Sequence, residues 1–488
     1  MVTFRPLAVL IFSTLLTLSV FPATASSLGS CSSVGTSTGT VSITGTTYRV
    51  SNVCGSGSPC TLAEVNALNL RPGDGVLFEA GSIWNVNSAS DRLRPKSGVT
   101  YSRYGAGPNP TIVGTGAALT WQGLIDVAGA SNVVIDGIDV QNSTVFGILV
   151  TKSSSVTVQN LKVDTTSGGG IVFAQSTDVT LGNVEVTNAE GGPHESITMD
   201  GVDGFVVHNV YSHDNGHAAI NMKSGSKNGE VYGSEFSSIA DDPTMYMERA
   251  ENIRIHDNYI HTNSVSSTKK ALISIGIEPL GDPTTRYNRH IEIHDNVIAD
   301  ARQVGINIWI KANTYEGTLS GSTFVNQDIA FGNQPTAERL MDDISIHNNT
   351  LVTTGQDGET WTAAVRAADL RSNSDPADWS NIVIEDNVIW DTNNAPGIGL
   401  TGGIKATVRN NLFENGETGE TGSNTVFTSD PRFVDAAQGD FDLAPGSPGI
   451  GAGTGGGDIG ARLGSLCSTT TALLPTTTTP LPPTLFLE

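Results

Sequence analysis

From Asn132 to about Asn411 the chain repeats itself. One phase of the repeat is a short apolar run, as in Asn132-VVIDG, Ser155-VTVQN, Asp178-VTLGN, Gly204-FVVHN, Asn252-IRIHDN, His290-IEIHDN, Asp343-ISIHNN and Asn381-IVIEDN. A second apolar run follows in each unit: GILVT, GIVFA, SITMD, AINMK, TMYME, LISIG, GINIW. Early units start at 132, 155, 178, 204 and 228, so the spacings are 23, 23, 26 and 24. Later spacings of 38, 53 and 38, from 252 to 381, read as the same unit carrying insertions. Such a period, with two or three alternating strands per unit, is a solenoid signature. Leucine-rich repeats would show Leu and a helix per unit; here the apolar residues are Ile and Val. The expected fold is all-β: a single-stranded right-handed parallel β-helix of about ten coils, stacked about 4.8 Å apart.

The rest of the chain frames this solenoid. Residues 1–25 carry Arg5, a short apolar run and Ala23-Thr24-Ala25, the pattern of a cleaved export signal. Residues 26–130 are expected to form an N-terminal cap and irregular first coils, 131–415 the regular coils, and 416–464 a C-terminal cap. Thr61 followed by Glu64 predicts a capped short helix across the open N-terminal end. The Thr/Pro-rich segment 465–488 reads as a disordered tail, a linker or a surface tether. Four cysteines in an exported chain are expected to be oxidised; Cys54–Cys60 is the favoured local pair, and Cys31 and Cys467 lie too far apart along a solenoid to bridge.

A net charge of −23 argues against nucleic acid, and no second apolar stretch suggests a membrane span. Segment 220–315 is more balanced, with ten of the chain's 26 Lys and Arg against twelve acids. The expected partner is a polysaccharide, bound by a monomer outside the cell.

The phrases PGDGVLFEAG, PKSGVTYSRYGAGPNPTI and the late DPRFVDAAQGDFDLAPGSPGIGAG with DIGA resemble the ends of secreted β-helix proteins of the pectate-lyase-like superfamily. The resemblance covers about residues 60–462. It implies the fold, but that superfamily holds lyases, hydrolases, epimerases and non-enzymes.

Two ladders are expected from the later coils. Asn258, Asn296, Asn349, Asn387 and Asn411 recur at one phase and should form a buried amide ladder. His256, His294 and His347, two residues earlier, should stack on the outside, as a solvated row rather than a metal site.

Aligning the second strand of each unit on its inward residues defines two outward columns. The first reads Leu149, Val172, Thr198, Asn221, Tyr246, Ser274, Asn307; the second reads Thr151, Ala174, Asp200, Lys223, Glu248, Gly276, Trp309. The early coils are bland, and the central ones place Asp200, Lys223 and Glu248 on consecutive rungs, expected to lie within mutual reach. The bland reading is an alternating charge ladder on a solvated face. Clustering with Tyr246, Trp309 and polar turns favours a groove.

Candidate catalytic residues are therefore Lys223, Asp200 and Glu248. Asn221, Tyr246, His194, His217, Lys270, Trp309, Lys311 and Arg366 are candidates for binding substrate. Asp200, Glu248, Asp241 and Asp242 are candidate metal ligands. Lyases of the resembled superfamily use a Lys or Arg base beside acid-bound Ca²⁺, which implies β-elimination from a uronate-containing glycan, with Lys223 as base. Paired carboxylates two rungs apart leave an inverting glycoside hydrolase open. A non-catalytic adhesive β-helix is the third class. The polygalacturonase set, the D-P-H-D motif of mannuronan epimerases and the R-x-P-x-x-R of major pectate lyases are absent, so no defined family is reached.

Overall fold

The computed structural model describes residues 42–463 apart from 56–57, 117, 192–193, 240–242, 263–270, 278–286, 311–313, 320–321, 329–338, 353, 355–361, 371–374 and 393–394. The export signal, Cys31, Cys467 and the Thr/Pro tail lie outside the described residues.

Each regular coil contributes three parallel strands to three sheets. Sheet one runs from Thr47–Val50 to Ala406–Arg409, and sheet two from Ile83–Val86 to Val426–Thr428. Long bent strands at Ser154–Thr166, Thr177–Ala189 and Asp203–His213 pass through both. Sheet three has ten strands, from Gly123–Ala128 to Ile398–Thr401. The chain turns where Asn and Asp adopt left-handed backbone, as at Asn132, Asp178, Asn252 and Asp343, with φ between 52° and 55°. Short polar side chains tolerate that conformation, which is why they recur at the start of each unit.

Inward residues of all three sheets merge into one core, from Val50 through Ile197 and Ile275 to Phe413. The amide ladder is present. Asn258, Asn296, Asn349, Asn387 and Asn411 are fully buried, and successive Nδ2 groups donate to the next Oδ1 at 3.0–3.1 Å. Outside it, the rings of His256, His294 and His347 stack at 4.8 and 5.0 Å, and Tyr232 extends the row at 5.3 Å. Their Nδ1 atoms sit on Asp257, Asp295 and Asn348. Among the described residues no three acid, His or Cys groups gather as a metal cluster.

The capped helix forms over Leu62–Ala67, with Thr61 and Glu64 completing the capping box and Leu62 and Val65 entering the core. The Cys54–Cys60 disulfide is present. One insertion, after the sheet-three strand Val304–Ile310, holds an antiparallel hairpin of Thr314–Leu319 with Ser322–Asp328. The C-terminal segment differs from a simple end cap. It folds back along the coils, where Thr454 N donates to Asp386 Oδ1, Asn348 Nδ2 to the Asp458 carbonyl and Ala461 N to Thr350 Oγ1. No described helix is long and apolar enough to cross a membrane.

Candidate functional site

Sheet three stacks without a slip across the central coils. Asp200 pairs in register with Lys223, Asn221 with Tyr246, Glu248 with Gly276, and Gly276 with Trp309. The two outward columns therefore exist as read from strand alternation. Their exposure does not follow alternation alone. Leu149, Val172, Thr198, Asn221, Ser274 and Asn307 are all buried although they face outward. The turn carrying His194 and Glu195 packs against the preceding coil at Gly169, where a Cβ would come within 2.8 Å of the Glu195 carbonyl and 3.4 Å of His194 Cβ. Its side chains reach the outer face, where His194 packs on Phe146 and Glu195 bonds Thr198. The second column, through Asp200 and Lys223, stands half-buried beside it.

This turn changes the partnership expected for Lys223. Its Nζ binds Glu195 Oε2 at 3.0 Å and Oε1 at 3.4 Å, with both side chains about four-fifths covered. Glu248 instead faces Arg249 Nε across 3.4 Å and is itself buried. Among the described residues, Asp200 makes no ion pair. The expected mutual contact of Asp200, Lys223 and Glu248 is therefore corrected. In-register neighbours on parallel strands project side by side, and the long lysine chain reaches sideways to a carboxylate from the turn. Glu195 also accepts a hydrogen bond from Thr198 Oγ1 at 3.2 Å and one from the Asn221 side chain. Burial alone would push the Glu195 carboxyl up, but Lys223 and these donors outweigh it and hold the group below its ordinary range.

His194 is 7% exposed, and its Nδ1 is buried with no hydrogen-bond partner among the described residues. Burial, and then the charge of Lys223, hold its imidazole below the ordinary histidine range. Its ring packs on Trp121 at 5.3 Å and on Phe146 at 5.6 Å. His217 lies over the backbone of Gly191.

Further along, Trp309 Nε1 donates to Ser274 Oγ at 2.7 Å. Gly276 lets Trp309 and Tyr246 pack directly over it; a Cβ there would stand 2.8 Å from both the Tyr246 hydroxyl and Trp309 Cε2. Arg366 Nη1 donates to Asn307 Oδ1 at 3.3 Å, and burial pushes its guanidinium down from its ordinary value. Lys270, Lys311, Asp241 and Asp242 lie outside the described residues. Asp200 and Glu248 are two rungs apart and Glu248 is engaged by Arg249, so the described residues do not by themselves compose a calcium site.

In the sequence Glu195 is one residue of a polar turn, and no pattern there marks Trp121 or Arg249 as site residues. The Gly168-Gly169-Gly170 run was the available signal that something packs on the face there.

The chain matches the family model described as right handed beta helix region over residues 40–195 and 146–279. A search of curated protein sequences returned no match. Among solved structures, the pectate lyase Pel9A is 12% identical, with 86% of this chain and 96% of that chain covered and a TM-score of 0.41. PfbA, a surface adhesin of Streptococcus pneumoniae, is 13% identical over 75% and 86%, with a TM-score of 0.45. An alginate lyase from Paenibacillus sp. is 10% identical over 67% and 95%, with a TM-score of 0.38. Likenesses this distant decide nothing about chemistry. With the family match and the three stacked parallel sheets together, the chain is a right-handed parallel β-helix protein, the fold its resemblance to the pectate-lyase-like superfamily implied.

Proposed function

We propose that this protein is exported, binds an acidic, uronate-containing polysaccharide along the outer face of sheet three as a monomer, and cleaves it by β-elimination. The observation that carries the reading is Lys223. It stands in the groove column between Asp200 and Glu248, in a protein of net charge −23, and is held from the side by Glu195.

In such an elimination a base takes the proton from C5 of a uronate, the C4=C5 double bond forms, and the bond from C4 to the glycosidic oxygen breaks. The leaving oxygen takes a proton from water. Lys223 is the proton acceptor in this reading. Before substrate binds, Lys223 is held by the Glu195 carboxylate, so that contact must loosen for Nζ to reach a C5 proton. Asn221 and Thr198 fix Glu195, and the partly exposed Trp309, packed over Gly276, offers a ring face to sugars beyond Lys223. No step here is routed through calcium; a chelator arm tests for it.

The hydrolase reading is weakened by Glu248, whose charge is engaged by Arg249. A non-catalytic binding module draws support from the closed Lys223–Glu195 pair.

The test is absorbance of unsaturated uronate products on a panel of polyuronates, with and without chelator, for the wild type and Lys223→Ala. The lyase reading expects product from one polyuronate and a loss of roughly 10²–10⁴-fold in the variant. Reducing sugar from neutral glycans without unsaturated product would move the assignment to hydrolysis. Binding with neither product would leave the adhesive reading.

A further inference from the structure

Trp121 is 59% exposed, although it has one of the largest apolar side chains in the protein. Its backbone is left-handed, with φ 59°. A bulky residue held in that conformation is a genuine outlier, and such strain persists where surrounding structure imposes it. The ring is not loose. It stands edge-on to Phe146 at 5.5 Å and tilted against His194 at 5.3 Å. Phe146 is fully buried and belongs, with Leu149 and Val172, to a small apolar cluster on the outer face, separate from the core.

A second observation comes from the neighbouring imidazole. His194 is more than nine-tenths buried, its Nδ1 has no hydrogen-bond partner among the described residues, and its ring is in contact with Trp121. A buried polar atom left unsatisfied marks a place where a partner is missing. His194 is joined by one peptide bond to Glu195, which holds Lys223. Trp121 precedes the sheet-three strand Gly123–Ala128, and the strand of Lys223 lies four rungs on, about 19 Å between backbones. The Trp121 ring shortens that span by reaching along the stack to His194. Trp309 lies on the far side of Lys223.

We infer that Trp121, backed by Phe146 and His194, is a stacking platform for a pyranose ring of the same acidic polysaccharide, on the opposite side of the His194–Glu195 turn from Lys223. This rests on the groove's being glycan-binding, and not on its chemistry. A pyranose offers an apolar C–H face to the indole, and the buried His194 ring holds that indole from behind. Occupation at both ends would make affinity depend on chain length.

The experiment is affinity electrophoresis and tryptophan-fluorescence titration with oligogalacturonates and oligomannuronates, from dimers to octamers. It compares the wild type, Trp121→Ala, Trp121→Phe and Lys223→Ala. The expected result is wild-type affinity that climbs with length, a loss of roughly tenfold for long oligomers in Trp121→Ala, dimer binding unchanged, and most of the affinity kept in Trp121→Phe. Matching thermal melts show that each variant is folded. Trp121→Ala binding long oligomers like the wild type would overturn the platform. So would equal losses in both Trp121 variants, no binding of any oligomer by the wild type, or a wild-type dimer that Trp121→Ala dissociates in sedimentation. The last result would mean that this face covers a second copy of the chain. Length-dependent binding without unsaturated product would remove the lyase reading and leave the platform standing. Product formation indifferent to Trp121 and to length would do the reverse.

Discussion

Glu195 decides what Lys223 can do. A lysine on a sheet face among acids is a solvated rung; a lysine drawn under a turn by a carboxylate at 3.0 Å is a positioned cation. The position of Lys223 was legible from strand alternation, because period two fixes which way a side chain leaves the sheet. Its partner was not, because Glu195 belongs to a turn that packs against a glycine one coil earlier, and alternation along a strand does not place turns. That contact is what places Nζ beside the turn. Replacing Glu195 by Gln removes the anion and keeps the shape. Initial rates of polyuronate cleavage should then fall by roughly tenfold or more as Lys223 loses its position, with thermal melts checking the fold. A rate at the wild-type level would mean that Glu195 does not position Lys223.

At the scale of the element, the ladder positions were the most legible part of the chain. The paired residues at 257–258, 295–296, 348–349 and 386–387 combine two demands: the first is left-handed, with φ between 52° and 57°, and the second is a fully buried amide. Few residue types meet either demand, so the sequence repeats Asp-Asn and Asn-Asn. Asn349 shows what the amide does. Its Nδ2 donates to the Ile293 carbonyl at 2.8 Å and to Asn387 Oδ1 at 3.0 Å, and its Oδ1 accepts from Asn296 N and Nδ2 at 3.1 and 3.0 Å. Asn349→Ala leaves at least two buried groups unsatisfied and should destabilise the fold by at least about 2 kcal/mol, seen in chemical denaturation. A variant as stable as the wild type would show that water replaces the amide. Less legible was the first outward column of sheet three. Alternation pointed it outward, yet Thr198 and Asn221 are covered. Direction is a property of the strand, whereas cover is a property of the neighbouring turn.

Across the whole molecule, a single continuous core runs from Val50 to Phe413, but each coil touches only the coils beside it. Stability in such a stack is close to a sum of coil terms and nearest-neighbour interfaces. The insertions that stretch the later repeats interrupt sheet three's connections without interrupting the amide ladder on the opposite side. The ladder is thus the feature that carries registry from coil to coil where the sequence period fails. The damage from Asn349→Ala should accordingly stay local. Amide hydrogen exchange should speed up in the strands Asn288–His294, Met341–His347 and Trp379–Glu385, which flank position 349, while protection in Ser154–Thr166 and Thr177–Ala189 stays at wild-type values. A uniform loss of protection along the chain would instead mean that the coils unfold as one cooperative unit. The groove around Lys223 would then share its stability with the most distant rung.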